Sequence, residues 1–134
     1  MTNTKSIDRK VLLSTLWIFA VLNYIYADVF TLFFNPAAHT GTAAMTARAA
    51  LVFALLMETS IAMVILSRVL KRGANRGANI AAGIFHTGFV TWSLFGQPPK
   101  PFYLVFVAVE IACTLLIVWL AIKWKPAVDS AVRS

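Results

Sequence analysis

FYLVFVAVEIACTLLIVWLAI, residues 102–122, is an apolar run broken by one charge, Glu110. A hydrocarbon core ~30 Å thick needs about 20 helical residues to cross it, so this stretch is long enough to span a bilayer. Continuous apolarity over such a length is incompatible with a barrel strand, which would be shorter and would alternate. Working outward, three similar runs occur, Val11 to Phe34, Ala47 to Leu70 and Ala78 to Phe95. The third is diluted by His86, Thr87, Thr91, Ser93 and glycines, and is expected to insert because its neighbours shield it.

Composition agrees with that reading. The chain has 134 residues, 60% hydrophobic and 13% charged, where a soluble domain keeps about a quarter of its residues charged. The expected fold class is an all-α polytopic membrane protein, an antiparallel four-helix transmembrane bundle forming one domain over residues 1–134. Asn35-Pro36 closes the first helix and Thr46 caps the second. Gly73 and Gly77 are read as bracketing a cytoplasmic turn, and Gly96 to Pro101 as an external one. Short connections imply an up-down-up-down bundle.

A net charge of +7 invites a nucleic-acid reading, but position decides against it. Lys5, Arg9, Lys10, Arg68, Lys71, Arg72, Arg76, Lys123, Lys125 and Arg133 fall on one side of a four-span scheme, against Arg48 and Lys100 on the other. The positive-inside rule then puts both termini and the middle turn in the cytoplasm of a bacterial inner membrane, with the lipid bilayer as partner and no nucleic acid. The first run is read as a retained span. It is too long for a signal-peptide core and carries Asn23, Tyr24, Tyr26 and Asp28. The lone Cys113 cannot form an intrachain disulfide and reads as a packing residue.

Three of the five acids, Asp28, Glu58 and Glu110, lie inside apolar segments with no Lys or Arg beside them. A carboxylate near the centre of a spanning helix costs about 2.5–3.5 kcal/mol on insertion scales, so such groups are neutral, share protons or hold something positive. Helical periodicity places Ser14, Trp17, Tyr24, Asp28 and Thr31 on one stripe of the first helix. Ala47, Ala50, Ala54, Glu58 and Ala62 form a small-residue ladder on the second, suited to close packing. Asn79, Gly83, His86, Val90 and Ser93 share a face of the third, and Tyr103, Phe106, Glu110, Cys113 or Thr114, and Ile117 a face of the fourth. At ~1.5 Å per residue, Asp28 lies roughly 9 Å, Glu110 about 12 Å, His86 about 14 Å and Glu58 about 16 Å below the outer helix ends. Turning all four faces inward predicts one cluster in the outer half of the bundle.

The candidate ligand- or proton-binding residues are Asp28, Glu58, His86 and Glu110, with Tyr24 and Trp92 as aromatic walls for a hydrophobic or cationic ligand. Full ionisation would leave minus two charges even beside a protonated histidine, so at least one carboxylic acid is expected to keep its proton, and the group to titrate as a unit. Asp28 and Glu110 would meet ligand first, Glu58 would hold a proton deep in the bundle, and His86 would be the titrating partner. No metal is expected, because helical di-metal bundles use Glu-x-x-His pairs and none occurs. Sequence motifs for nucleotide binding, serine hydrolysis, dithiol redox or zinc proteolysis are absent, and no cofactor is indicated. Arg68, Asn75, Arg76 and Asn79 form a second cluster, read as loop capping or as contact with a headgroup or cytoplasmic partner. Two alternatives stay open: a non-catalytic subunit or scaffold whose buried acids only join helices, and a membrane enzyme acting on a lipid-soluble substrate. A homo-oligomer is compatible with the alanine ladder.

Certain residues also carry a resemblance. Met57-Glu58, Ile61 to Val64, Leu66 to Leu70, Asn75-Arg76 and Asn79-Ile80 resemble a bacterial family of uncharacterised four-helix membrane proteins, a domain of unknown function. Tyr24, Tyr26, Asp28, Glu110-Ile111 and Thr114 fit the same pattern. The resemblance implies the fold and no activity. More distantly the layout is similar to DoxX-like proteins, which implies a link to quinone-dependent membrane oxidoreductases. Small multidrug-resistance transporters share four helices and an intramembrane glutamate, but theirs lies in the first helix, whereas this chain carries acids in three.

Overall fold

The computed structural model describes residues 8–34, 46–95 and 99–126. The expected external loop with His39, the Gly96–Pro98 part of the last connection, and Lys5 and Arg133 lie outside the described residues. Four helices account for nearly all of the rest: α1 (Arg9–Phe34), α2 (Ala47–Val69), α3 (Arg72–Ser93) and α4 (Pro101–Ile122). No strand occurs among the described residues.

Local chemistry sets the helix ends. The Thr46 hydroxyl accepts from Ala49 N at 3.2 Å and caps α2. Pro101 opens α4 at a position where its missing N–H is no loss. The α2–α3 joint departs from expectation. Only Leu70 and Lys71 are extended, so α3 begins at Arg72 and not near Ala78. The Asn75 amide explains the short joint, donating to Ser67 O at 2.7 Å and Leu70 O at 3.4 Å. These are terminal carbonyls of α2 that a helix end leaves without partners. Gly73 and Gly77 therefore lie within α3, where they meet nothing.

The helices form an antiparallel ring in which each packs on its sequence neighbours and α4 closes on α1. The Ser14 hydroxyl donates to Val64 O at 2.8 Å between α1 and α2. Asn23 Nδ2 donates to Phe106 O at 3.0 Å, and Cys113 Sγ to Leu16 O at 3.3 Å, between α1 and α4. Thr87 and Thr114 share a 2.7 Å hydroxyl bond between α3 and α4. Leu13, Trp17, Ala20, Ile117 and Ala121 fill the interior without any exposure.

Helices α1, α2 and α4 are long and apolar enough to cross a membrane. Helix α3 matches them in length but carries a polar stripe, and the bundle buries it: Asn75, Asn79 and His86 are fully enclosed, while Ile84, Phe85 and Trp92 point outward. Leucine, isoleucine and phenylalanine side chains cover the outside of the bundle. A water-facing monomer rarely exposes so continuous an apolar surface.

Helix α2 is rotated against expectation. Ala47, Ala50, Ala54, Glu58 and Ala62 are all exposed, and Leu56, Ser60, Met63 and Ser67 are its buried residues. Glu58 and Ser60 stand about 200° apart around the helix axis, so an inward Ser60 turns Glu58 out. Small residues do permit close approach elsewhere. Gly83 on α3 lies so near α4 that a Cβ would fall 2.5 Å from Val118 Cγ2 and 3.3 Å from Thr114 O.

Valine is stiff at χ1, so that contact cannot relax freely. Gly83→Ala is expected to lower stability by about 1–3 kcal/mol, as overpacking does. Gly77→Ala, with nothing within 4 Å, is expected to raise it by about 0.4–1 kcal/mol. Thermal unfolding of the purified variants in detergent checks both.

Candidate functional site

Two side-chain bridges cross the bundle on its α1–α3 diagonal. Trp17 Nε1–H donates to Asn79 Oδ1 at 2.8 Å, and seven residues further along each helix the Tyr24 hydroxyl meets His86 Nδ1 at 3.1 Å. Two helical turns separate the rungs, so α1 and α3 run parallel and in register.

The first rung belongs to a closed network. Asn79 Oδ1 also accepts from the Ser67 hydroxyl at 3.3 Å. Asn79 Nδ2 donates to Asn75 O at 2.9 Å and Asn75 Oδ1 at 2.6 Å. With Asn75 bonded back to α2, residues of three helices are joined and no polar side-chain atom there lacks a partner.

The second rung is open. His86 is fully buried, its ring 5.4 Å from Trp17 edge-on, 5.8 Å from Tyr24 and 5.7 Å from Phe85. Its Nε2 is the buried side-chain polar atom without a partner among the described residues. In neutral imidazole one nitrogen donates and the other accepts. If Tyr24 donates to Nδ1, an N–H on Nε2 is stranded; if Nδ1–H donates to Tyr24, a lone pair is stranded.

Glu110 completes the region from α4. Its carboxyl is buried against α1, beside Asn23 and within electrostatic reach of Tyr24 and Cys113. Thr114 donates to Glu110 O at 3.0 Å and so faces α3 with Thr87 one turn along.

Of the six expected ligand or proton residues, the structure joins Tyr24 to His86 and buries Glu110 within electrostatic reach of Tyr24. Asp28, Glu58 and Trp92 are exposed, and the four-residue cluster does not form. Asp28 lies one position past Ala27, which takes the inward place, although its charge still reaches Glu110. Trp92 is displaced by Val90 in the same way. Glu58 follows the rotation of α2. Among the described residues, no group of three His, Cys, Asp or Glu is placed to hold a metal ion.

The cytoplasmic cluster also divides. Asn75 and Asn79 are fully buried, which removes them from any headgroup, because their amides close the α2–α3 joint. Arg76 Nε and Nη2 donate to Ala121 O at 3.0 Å and Ile122 O at 3.2 Å, satisfying the last carbonyls of α4 and its dipole. Only Arg68 of the four is exposed. Ser14 takes the inward place its stripe predicts, whereas the periodicity of α2 does not show the interior places of Ser60 and Ser67; the seven-residue spacing of Trp17 with Tyr24 and of Asn79 with His86 carries the diagonal register.

Asn79→Leu strands the Trp17 N–H and the Ser67 hydroxyl and is expected to cost about 1–3 kcal/mol per stranded group. Trp17→Phe removes a donor while Ser67 still serves Asn79, so a smaller loss follows; Arg68→Gln leaves stability unchanged. Melting temperatures in detergent rank the three.

Neither a curated protein nor a solved structure matches the chain. A family match exists, and it extends over all four helices and both diagonal rungs. Residues 4–130 match the family of unknown function DUF6326, and the chain belongs to that family.

Proposed function

We propose that this chain is an integral protein of a bacterial inner membrane whose core binds a proton at His86, with Tyr24 and Glu110 as its partners. The observation that carries this reading is the unpartnered Nε2 of a fully enclosed imidazole. An unsatisfied buried polar atom costs about 1–3 kcal/mol, and removing it by substitution is easy for a packing residue. Intramembrane ionisable side chains are rare and by default functional. His86 is fully enclosed, with Trp17, Tyr24 and Phe85 rings against it, and a proton needs less room there than any larger ligand.

The tautomer in which Nδ1–H donates to Tyr24 leaves a lone pair on Nε2, and on this reading that is the form that accepts the proton. Glu110 acts on this pair from the Tyr24 side, within electrostatic reach of the phenol, and Asp28, exposed nearer the end of α1, gives Glu110 a neighbour toward the surface. Orientation follows charge. Arg9, Lys10, Arg68, Lys71, Arg72, Arg76, Lys123 and Lys125 gather at the end of the bundle formed by the starts of α1 and α3 and the ends of α2 and α4. This supports termini and α2–α3 joint on the cytoplasmic side.

A scaffold or subunit role is favoured by a different observation, the fully satisfied Asn75–Asn79–Ser67–Trp17 network, which holds helices together without an open valence. The second rung separates the two readings. In ¹⁵N-histidine NMR spectra of a His39→Gln background in detergent, His86 is expected to change protonation with pH while the fold persists. Glu110→Gln is expected to move that titration with stability unchanged or raised, as at sites where function opposes folding. A His86 tautomer that stays fixed at every pH where the chain is folded, together with a lower melting temperature for Glu110→Gln, would establish the scaffold reading instead.

A further inference from the structure

At the end of the bundle opposite the basic cluster, Phe30 and Phe34 of α1 and Phe102 of α4 wall an open cleft of about 350 Å³, with Pro101 and Lys100 completing it. The rings form a continuous shelf. Phe30 lies 5.4 Å from Phe34 and 6.3 Å from Phe102, Phe34 lies 6.4 Å from Phe102, and Phe106 backs the shelf 5.3 Å behind Phe30.

The mouth of this cleft is doubly positive. Lys100 is the N-cap residue of α4 and makes no side-chain cap bond, and α4 has no acid in its first turn. The N–H groups of Phe102 and Tyr103 therefore have no acceptor within the helix, and the helix dipole adds partial positive charge at the same place. A lysine there opposes the dipole, since cations are favoured at C-termini. It also runs against the charge bias that puts eight of the ten basic residues among the described ones at the other end. Local carboxylates do not compensate: the sequence has no acid between Asp28 and Glu58 or between Glu58 and Glu110, and among the described residues Lys100 forms no ion pair.

We infer that the cleft holds an anionic phospholipid, its acyl chain on Phe30, Phe34 and Phe102 and its phosphate on Lys100 and the start of α4. One ligand satisfies both halves of the site. The phosphate resolves the repulsion between the ammonium and the helix terminus, as anions do at helix N-termini. The chain covers aromatic surface at the depth where hydrocarbon meets headgroup. With the basic end in the cytoplasm, the lipid belongs to the outer leaflet; binding itself does not depend on the proton reading of His86.

The test measures lipids retained by the purified full chain by native mass spectrometry, using phosphatidylglycerol and phosphatidylcholine with the same acyl chains. One phosphatidylglycerol is expected to be retained in preference, and Lys100→Gln to weaken that preference about fivefold, the effect of one basic residue at a membrane surface. Phe102→Ala is expected to weaken retention of the same lipid. Its melting temperature is measured alongside, and Phe34→Ala, at an exposed ring, repeats the test without burial. Lys125→Gln, at the opposite end, leaves this lipid in place. Equal retention of the two lipids, unchanged retention in Lys100→Gln, or displacement by inorganic phosphate would each overturn the proposal; displacement would mean a free anion suffices.

Discussion

The hydrogen bond from Trp17 Nε1 to Asn79 Oδ1 fixes more of this molecule than any apolar contact does. Inside a bilayer the lipid tails are as apolar as the leucines of the core, so hydrophobic burial hardly distinguishes one rotation of a helix from another. Polar groups do distinguish them, because hydrocarbon offers no partner and each group left alone is expensive. Asn79 takes donors from α1 and α2 and donates to Asn75, which in turn holds the end of α2. Once that junction is closed, the register of α1 against α3 and the inward rotation of Ser67 are determined. Glu58 then faces outward as a consequence of geometry, whatever its own preference.

The two rungs of the diagonal have the same spacing and opposite character. At the first, every polar atom is paired, and the bonds hold together the joint at the basic end. At the second, Tyr24 serves one nitrogen of His86 and no described residue serves the other. A ring that is packed against Trp17 and Phe85 and lacks a partner for Nε2 is held in place by its neighbours and left chemically open. The contrast between these rungs is what the proposed proton site at His86 rests on. At the far end, Lys100 is exposed at the start of α4, where it makes no side-chain cap bond and, among the described residues, no ion pair.

Much of the architecture is legible in the residues. The boundaries of α1, α2 and α4 follow from apolar runs, Asn35-Pro36, Thr46 and Pro101, and observed ends fall within two residues of the runs. The buried stripe Asn79, Gly83, His86, Val90 of α3 is equally readable, since polar and small residues concentrate on one side of that helix. The start of α3 was not. Gly73, Asn75 and Gly77 look like turn residues until the Asn75 amide is seen bonding the end of α2, a contact made by folding and not by local propensity. Of the site, His86, Tyr24 and Glu110 were readable as candidates, while the separation of Asp28, Glu58 and Trp92 from them was not.

The sequence by itself determined the number of helices, the extents of α1, α2 and α4, and the clustering of basic residues at one end, because these depend on how far apolar runs extend and where charge interrupts them. It also determined which face of α3 turns inward, because an amphipathic helix announces its face. Only the tertiary structure decided the rotations of α2 and of the outer end of α1. Helix α2 is almost evenly apolar around its circumference, so its periodicity carries no direction. Its orientation is set by hydroxyls and amides on other helices, which is why the ladder Ala47, Ala50, Ala54, Glu58 lies on the outside and Ser60 and Ser67 lie within.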